Sequence, residues 1–316
     1  MGGVQTSGIF SSDDEINFLS KFDLDGNPIW ERTWTKTDAN SGHEWEGPQA
    51  LVVDSENHVI ACGSENGALE NQIYQGSLDV YLMRVAPDGT INWLRQWGTP
   101  RLDYCRDVAL SGDDSIFVVG FTEGTMDQVD NAGGSDAFLA RLDRDGNLLW
   151  SRQWGTAMDD SAAGVALDAS GNVYVVSHIG QGSDTERNIP YDIAFLVFDF
   201  DGNLLFSETW GTEATEYACD IGVDPAGNIV IIGQTYGNLD GQVNAGSSDV
   251  FLTWYTPDLR RQPARLWGST EPDGNSKIAL DADGNIFITG STYGPVNNHQ
   301  SFAGSNIFLL YVPPLP

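Results

Sequence analysis

Short apolar runs of five to seven residues, broken by Gly, Asp and Asn, follow one another along the whole chain. The best-formed set reads AFLARL (137–142), LLWSRQW (148–154), AAGVAL (162–167) and VYVVS (173–177). Runs of this length, rich in β-branched and aromatic residues and bounded by turn formers, are strands. No stretch sustains a helical period. The turns agree chemically. Asp-Leu-Asp-Gly-Asn (23–27), Pro-Asp-Gly-Thr (87–90), Asp-Arg-Asp-Gly-Asn (143–147) and Asp-Phe-Asp-Gly-Asn (199–203) separate the first two runs of successive copies. Between the last two runs, Gly171, Gly227, Gly284, Asn57 and Asp114 occupy one position, and these are the residue types that tolerate positive φ. Tight hairpins are expected there.

The runs repeat. An opening aromatic recurs at Phe18, Tyr81, Phe138, Phe195, Phe251 and Phe308, at spacings of 63, 57, 57, 56 and 57 residues. A Trp before Gly recurs at Trp97, Trp154, Trp210 and Trp267, with Trp34 as its counterpart. Four strands at a fixed period form a unit that buries its faces only against neighbours, which is the signature of a propeller blade. The expected fold is therefore all-β, a β-propeller of four-stranded antiparallel blades forming one domain over 1–316. Its repeats are roughly 18–80, 81–137, 138–194, 195–250 and 251–307, with a closing strand at 308–312. Five small-residue strands of the AAGVAL type, placed innermost, imply five blades, with residues 16–34 pairing onto the last blade. Six or seven blades, or a partial ring, are the alternatives.

The combination GSDAFLARLDRDGNLLWSRQWGT (134–156) with GVALDASGNVYVV (164–176) resembles the SBBP-type β-propeller repeat, and its second half is similar to NHL repeats. The resemblance implies the fold over nearly the whole chain. It implies little about activity, because such scaffolds serve unrelated functions.

Charge narrows the partners. Lys and Arg number 15 against 45 Asp and Glu, a formal net charge of −30. Such a surface repels nucleic acid and anionic membrane, and it suits divalent cations or solubility in salt. No apolar run reaches transmembrane length, and MGGVQTSGIFSS lacks the basic start and apolar core of a signal peptide. Cys62, Cys105 and Cys219 are odd in number and stand at unequal repeat positions, so they are expected to be small buried hydrophobes rather than a disulfide pair.

Candidate chemistry lies on the face of the long connections, opposite the hairpins. Glu46, Asp103, Asp160, Glu216 and Asp273 recur just before each innermost strand, a row of carboxylates that would ring one channel mouth as a cation or polar-ligand site. The alternative is that each accepts N–H groups of its own loop. The loops GTMDQVDNAGGSD (124–136) and GNLDGQVNAGSSD (237–249) offer Asp127, Asp130, Asp136, Asp240 and Asp249 as calcium ligands, with Asx-turns as the rival explanation. A unique insertion within KTDANSGHEWEGPQ (36–49) carries His43 and Trp45, suited to stacking on a sugar or a partner. Arg260, Arg261 and Arg265 form a basic cluster that could dock a protein.

No nucleophile elbow, phosphate loop or dinucleotide fingerprint occurs, and the near-identity of the copies argues against one asymmetric active site. The expectation is a non-enzymatic, extracellular or cell-surface module that binds carbohydrate or protein, multivalent and calcium-stabilised. The alternatives are an assembly subunit, acting as a homo-oligomer, or a glycoside-acting hydrolase using Glu46, Asp103 or Asp160.

Overall fold

Each apolar run becomes a strand, and each strand pairs with its neighbours in sequence. The computed structural model describes residues 4–9, 16–36, 47–126, 128–181, 190–295 and 304–315. They divide into two compact units, Met1–Trp154 and Gly155–Pro316.

The first unit holds three antiparallel sheets. These are β1 (Val4–Ile9), β2 (Ile16–Phe22) and β3 (Pro28–Trp34); then β4 (Gly47–Val53), β5 (Val59–Glu65), β6 (Asp79–Val85) and β7 (Ile91–Trp97); then β8 (Asp103–Leu110), β9 (Ile116–Thr122), β10 (Asp136–Leu142) and β11 (Leu148–Trp154). The second unit holds β12 (Asp160–Leu167), β13 (Val173–Gly180), β14 (Tyr191–Phe198) and β15 (Leu204–Trp210); then β16 (Glu216–Val223), β17 (Ile229–Thr235), β18 (Asp249–Tyr255) and β19 (Arg265–Trp267); then β20 (Asp273–Leu280), β21 (Ile286–Thr292) and β22 (Asn306–Val312). Five sheets begin on the small-residue strand type, at β4, β8, β12, β16 and β20. The fold class is the expected one, an all-β propeller with five antiparallel blades founded on those strands.

One expected pairing is corrected. Residues 16–34 do not extend the last sheet; they pair with β1, in the register Phe18 with Ser7 and Leu19 with Thr6. The reason is local. VQTSGI (4–9) lies six residues before β2, so β2 finds its edge within a short stretch of chain.

The hairpin chemistry is realised in detail. Asn57, Asp114, Gly171, Gly227 and Gly284 all have positive φ, between 61° and 87°. In the turns, Asp143 Oδ1 accepts the N–H groups of Asp145 and Asn147, and Asn147 Nδ2 donates to Oδ2. Asp168, Asp199, Asp224 and Asp281 repeat the arrangement. Each innermost strand also carries a register shift, as at Cys105/Asp107 and Ala218/Asp220, which twists the start of the blade.

Blades bury their faces against the next blade of the same unit. Ile60, Val80 and Leu82 pack with Val108, Val118 and Phe138 in the first unit. Val176, Phe195 and Val197 pack with Ile221, Ile231 and Phe251 in the second. Trp210 meets Phe251 edge-on at 5.6 Å and donates Nε1–H to Tyr255 Oη at 3.0 Å.

The cysteine expectation is also corrected. Cys62 on β5 and Cys105 on β8 form a disulfide, with Cα atoms 6.4 Å apart. Unequal repeat positions are what face each other when the second strand of one blade packs on the inner strand of the next. Cys219 is free.

Candidate functional site

The repeated carboxylates open their strands from buried positions. Asp103 Oδ2 accepts the Thr99 amide at 2.5 Å and the Thr99 hydroxyl at 2.9 Å. Asp160 does the same with Thr156, Glu216 with Thr212 and Asp273 with Ser269. Each carboxylate thus holds the connection that follows its Trp-Gly pair. Burial pushes Asp103 up to about 6, against the pull of its Thr partners. Glu46, His43, Trp45 and Asp127 lie outside the described residues.

The remaining loop carboxylates sit apart from one another. Asp130 is exposed. Asp136 Oδ2 accepts Ala132 N–H and Gln153 Nε2. Asp249 Oδ2 accepts Ala245 N–H. Asp240 is engaged by both terminal nitrogens of Arg261, at 3.1 and 2.7 Å. The basic cluster does not converge: Arg261 also lies over Trp210 at 3.9 Å, Arg265 lies over Trp254 at 5.2 Å, and exposed Arg260 pairs with Asp258. Asp54, Glu56 and His58 come together in the first unit, but Arg84 bridges Asp54 and Glu56, and Arg144 adds a second guanidinium. That cluster is an ion-pair network tying a hairpin to its blade.

What the fold does assemble is an aromatic cleft in the second unit. The end of β13 and the start of β14 meet the start of β16 and the end of β17, on the side opposite the Asp-Gly hairpins. There, Pro190, Tyr191, Glu213, Ala214, Thr215, Tyr217 and Tyr236 line a cleft of about 660 Å³. His178 stands edge-on between two phenol rings, 5.5 Å from Tyr191 and 5.4 Å from Tyr217, centroid to centroid. Tyr191 and Tyr217 lie 5.2 Å apart, and Tyr236 adds an edge at 6.4 Å. Burial raises Tyr191, helped by the charges of Asp159 and Asp160 and by Tyr217; burial, with Tyr236, raises Tyr217. Both phenols therefore stay protonated through neutral pH. The cleft thus presents phenol hydroxyls, with one imidazole packed behind two of the rings.

None of these residues was singled out as a site from sequence. Their signal is departure from the repeat. Where His178 stands, other copies have Ser64, Phe121, Gln234 and Ser291; where Tyr191 stands they have Leu78, Ser135 and Ser248. Near-identity of the copies therefore does not preclude one asymmetric site.

Comparison with known proteins shows the fold and no family. No family model matches the chain. The regulatory protein FlaEY of Caulobacter vibrioides is 25% identical over 181 residues, 52% of this chain and 19% of that protein, so the chain spans about a fifth of that relative. A family PL25 polysaccharide lyase, ulvan lyase, solved with -[GlcA(1-4)Rha3S]- bound, superposes with a TM-score of 0.52 at 9% identity, covering 90% of this chain and 76% of its own. A gluconolactonase of Xanthomonas campestris gives a TM-score of 0.44 at 16% identity, covering 90% of this chain and 91% of its own. The ulvan lyase is an enzyme on the same fold. That overturns the expectation of a non-enzymatic module: neither the architecture nor the repetition argues against catalysis.

Proposed function

We propose that the protein acts on carbohydrate at the cleft of Tyr191, Tyr217, Tyr236 and His178. The observation that carries this reading is the His178 imidazole packed edge-on between Tyr191 and Tyr217, two phenols that line an open cleft on the long-connection face. Aromatic rings offer flat apolar surface to sugar faces, and their hydroxyls, with Glu213, offer hydrogen bonds to sugar hydroxyls. Tyr191 and Tyr217 are proton donors in this arrangement and His178 is the proton acceptor, a pairing for acid–base chemistry on a bound saccharide. The ulvan lyase shows that a polysaccharide can be handled on this fold.

The ligand is a neutral saccharide. Glu213 and Asp159 are exposed at the rim, no Lys or Arg lines the cleft among the described residues, and the chain carries −30 overall. The reading includes the SBBP-type repeat and an extracellular or cell-surface location. The Cys62–Cys105 disulfide supports that location, since such bonds persist in oxidising surroundings.

The test is a panel of neutral and uronate-containing polysaccharides, assayed for retention on affinity gels and for new reducing ends. Retention by a neutral glycan, lost in Tyr217→Ala, is the expected result. Turnover lost in His178→Ala with binding intact would establish the acid–base role. Absence of retention by every glycan in the panel would refute the reading.

A further inference from the structure

We propose that two carboxylate pairs, Asp79 with Asp103 and Asp249 with Asp273, each hold a hard divalent cation of the calcium class at the Trp-Gly connection between consecutive blades. All four residues are essentially buried, at 0, 0, 1 and 2% exposure. One oxygen of each is committed to its own loop: Asp79 Oδ2 accepts Gln75 N–H at 2.8 Å, Asp103 Oδ2 takes the Thr99 amide, Asp249 Oδ2 takes Ala245 N–H, and Asp273 Oδ2 takes the Ser269 amide. The other oxygen of each, Oδ1 in all four, is buried and accepts no hydrogen bond. The Thr122 hydroxyl stands beside Asp103 and favours its charged form.

Two buried carboxylates with free oxygens are costly side by side unless a positive charge joins them. Asp273 lies against the segment that carries Asp249, its N–H donating to Ser248 C=O at 3.0 Å, and Asp79 and Asp103 meet at Gly98. A Cβ on Gly98 would fall 2.6 Å from Asp79 Oδ1 and 2.7 Å from Asp103 Oδ2, which is why glycine stands there. The two carboxylates are therefore within the span that one calcium ion bridges, with ligand distances of about 2.3–2.6 Å on each side. Burial and the charge of Asp103 push Asp79 up to about 6, and burial and the charge of Asp273 raise Asp249. The equivalent pair beside the aromatic cleft is built differently. Glu216, one methylene longer, reaches the Thr235 hydroxyl at 2.6 Å and leaves no oxygen free, whereas Thr292 near Asp273 donates to Gly294 C=O.

The experiment is a calcium titration of the full chain, with magnesium and EDTA controls, followed by thermal melting and by terbium luminescence excited through the adjacent Trp97 and Trp267. A hundredfold excess of calcium over its Kd is expected to raise Tm by about 5 °C. Terbium emission should be quenched by calcium, and Asp79→Asn and Asp249→Asn together should remove both responses. If the variants do not fold, the titration of the wild-type chain still decides. A wild-type Tm indifferent to millimolar calcium, with no sensitised terbium emission, would sink the proposal.

Discussion

Two blade junctions, one in each unit, use the same backbone for opposite ends. Between the sheets β4–β7 and β8–β11, the positions facing the long connections hold Leu78, Leu102, Tyr104 and Phe121, which close into a small apolar cluster. Tyr104 stacks on Phe121 at 5.3 Å and Arg106 covers the Tyr104 ring at 4.9 Å. The backbone zips shut as well, with Ser77 N–H donating to Arg101 C=O and Asp103 N–H to Leu78 C=O. Between β12–β15 and β16–β19, the corresponding residues are Tyr191, Thr215, Tyr217 and Gln234, with His178 and Tyr236 alongside, and the space is an open cleft. Pro190, which has no N–H, stands where Ser77 donates. The blade supplies the position, and a few substitutions decide whether it is sealed or open.

The strongest way to break the contrast is to open the sealed junction covalently. The Cys62–Cys105 bond joins residues 43 apart in sequence, so its reduction should cost about 4 kcal/mol. Calorimetry with and without reductant checks this, and an unchanged Tm would show that the bond contributes nothing to the fold. Next in size, Phe121→Ala should destabilise by about 3 kcal/mol through a cavity in the apolar cluster, read by denaturant melts.

The cleft should answer with function instead of stability. His178→Ala and Tyr217→Ala are expected to weaken saccharide binding or turnover about tenfold or more. Tyr236→Ala, at an exposed position, should stay within about 0.5 kcal/mol of wild type in stability. A fall in Tm comparable to that of Phe121→Ala would mean the cleft is packing after all. The smallest effect is alkaline. The folded-state values of Tyr191 and Tyr217 are raised, so their contribution to stability is fully present below the unfolded tyrosine value near 10 and is lost as pH rises beyond it. Melting should fall above about pH 10, with phenolate absorbance appearing later than in a free tyrosine.

Much of the fold was legible because its determinants are local and repeated. Asp143 with Gly146 and Asn147 specifies a hairpin wherever it occurs, and the bonds found in the structure are those the turn chemistry calls for. The role of VQTSGI (4–9) was harder to see, since one strand without its hairpin partner carries no turn signal. The disulfide was hidden for a related reason: Cys62 and Cys105 sit at different repeat positions and meet only because β5 packs against β8. His178, treated by itself, was an ordinary strand residue.

By itself, the sequence determined the strands, the turns, the blade period and the acidic character, because each depends on residues within one hairpin or on composition. Only the tertiary structure decided which side chains share a junction. His178, Tyr191, Tyr217 and Tyr236 span 59 positions of chain and come together through the ends of four strands in two blades. The unpartnered Oδ1 of Asp79 likewise comes beside the Asp103 carboxylate only in the folded chain, where burial has removed the water that would have satisfied it.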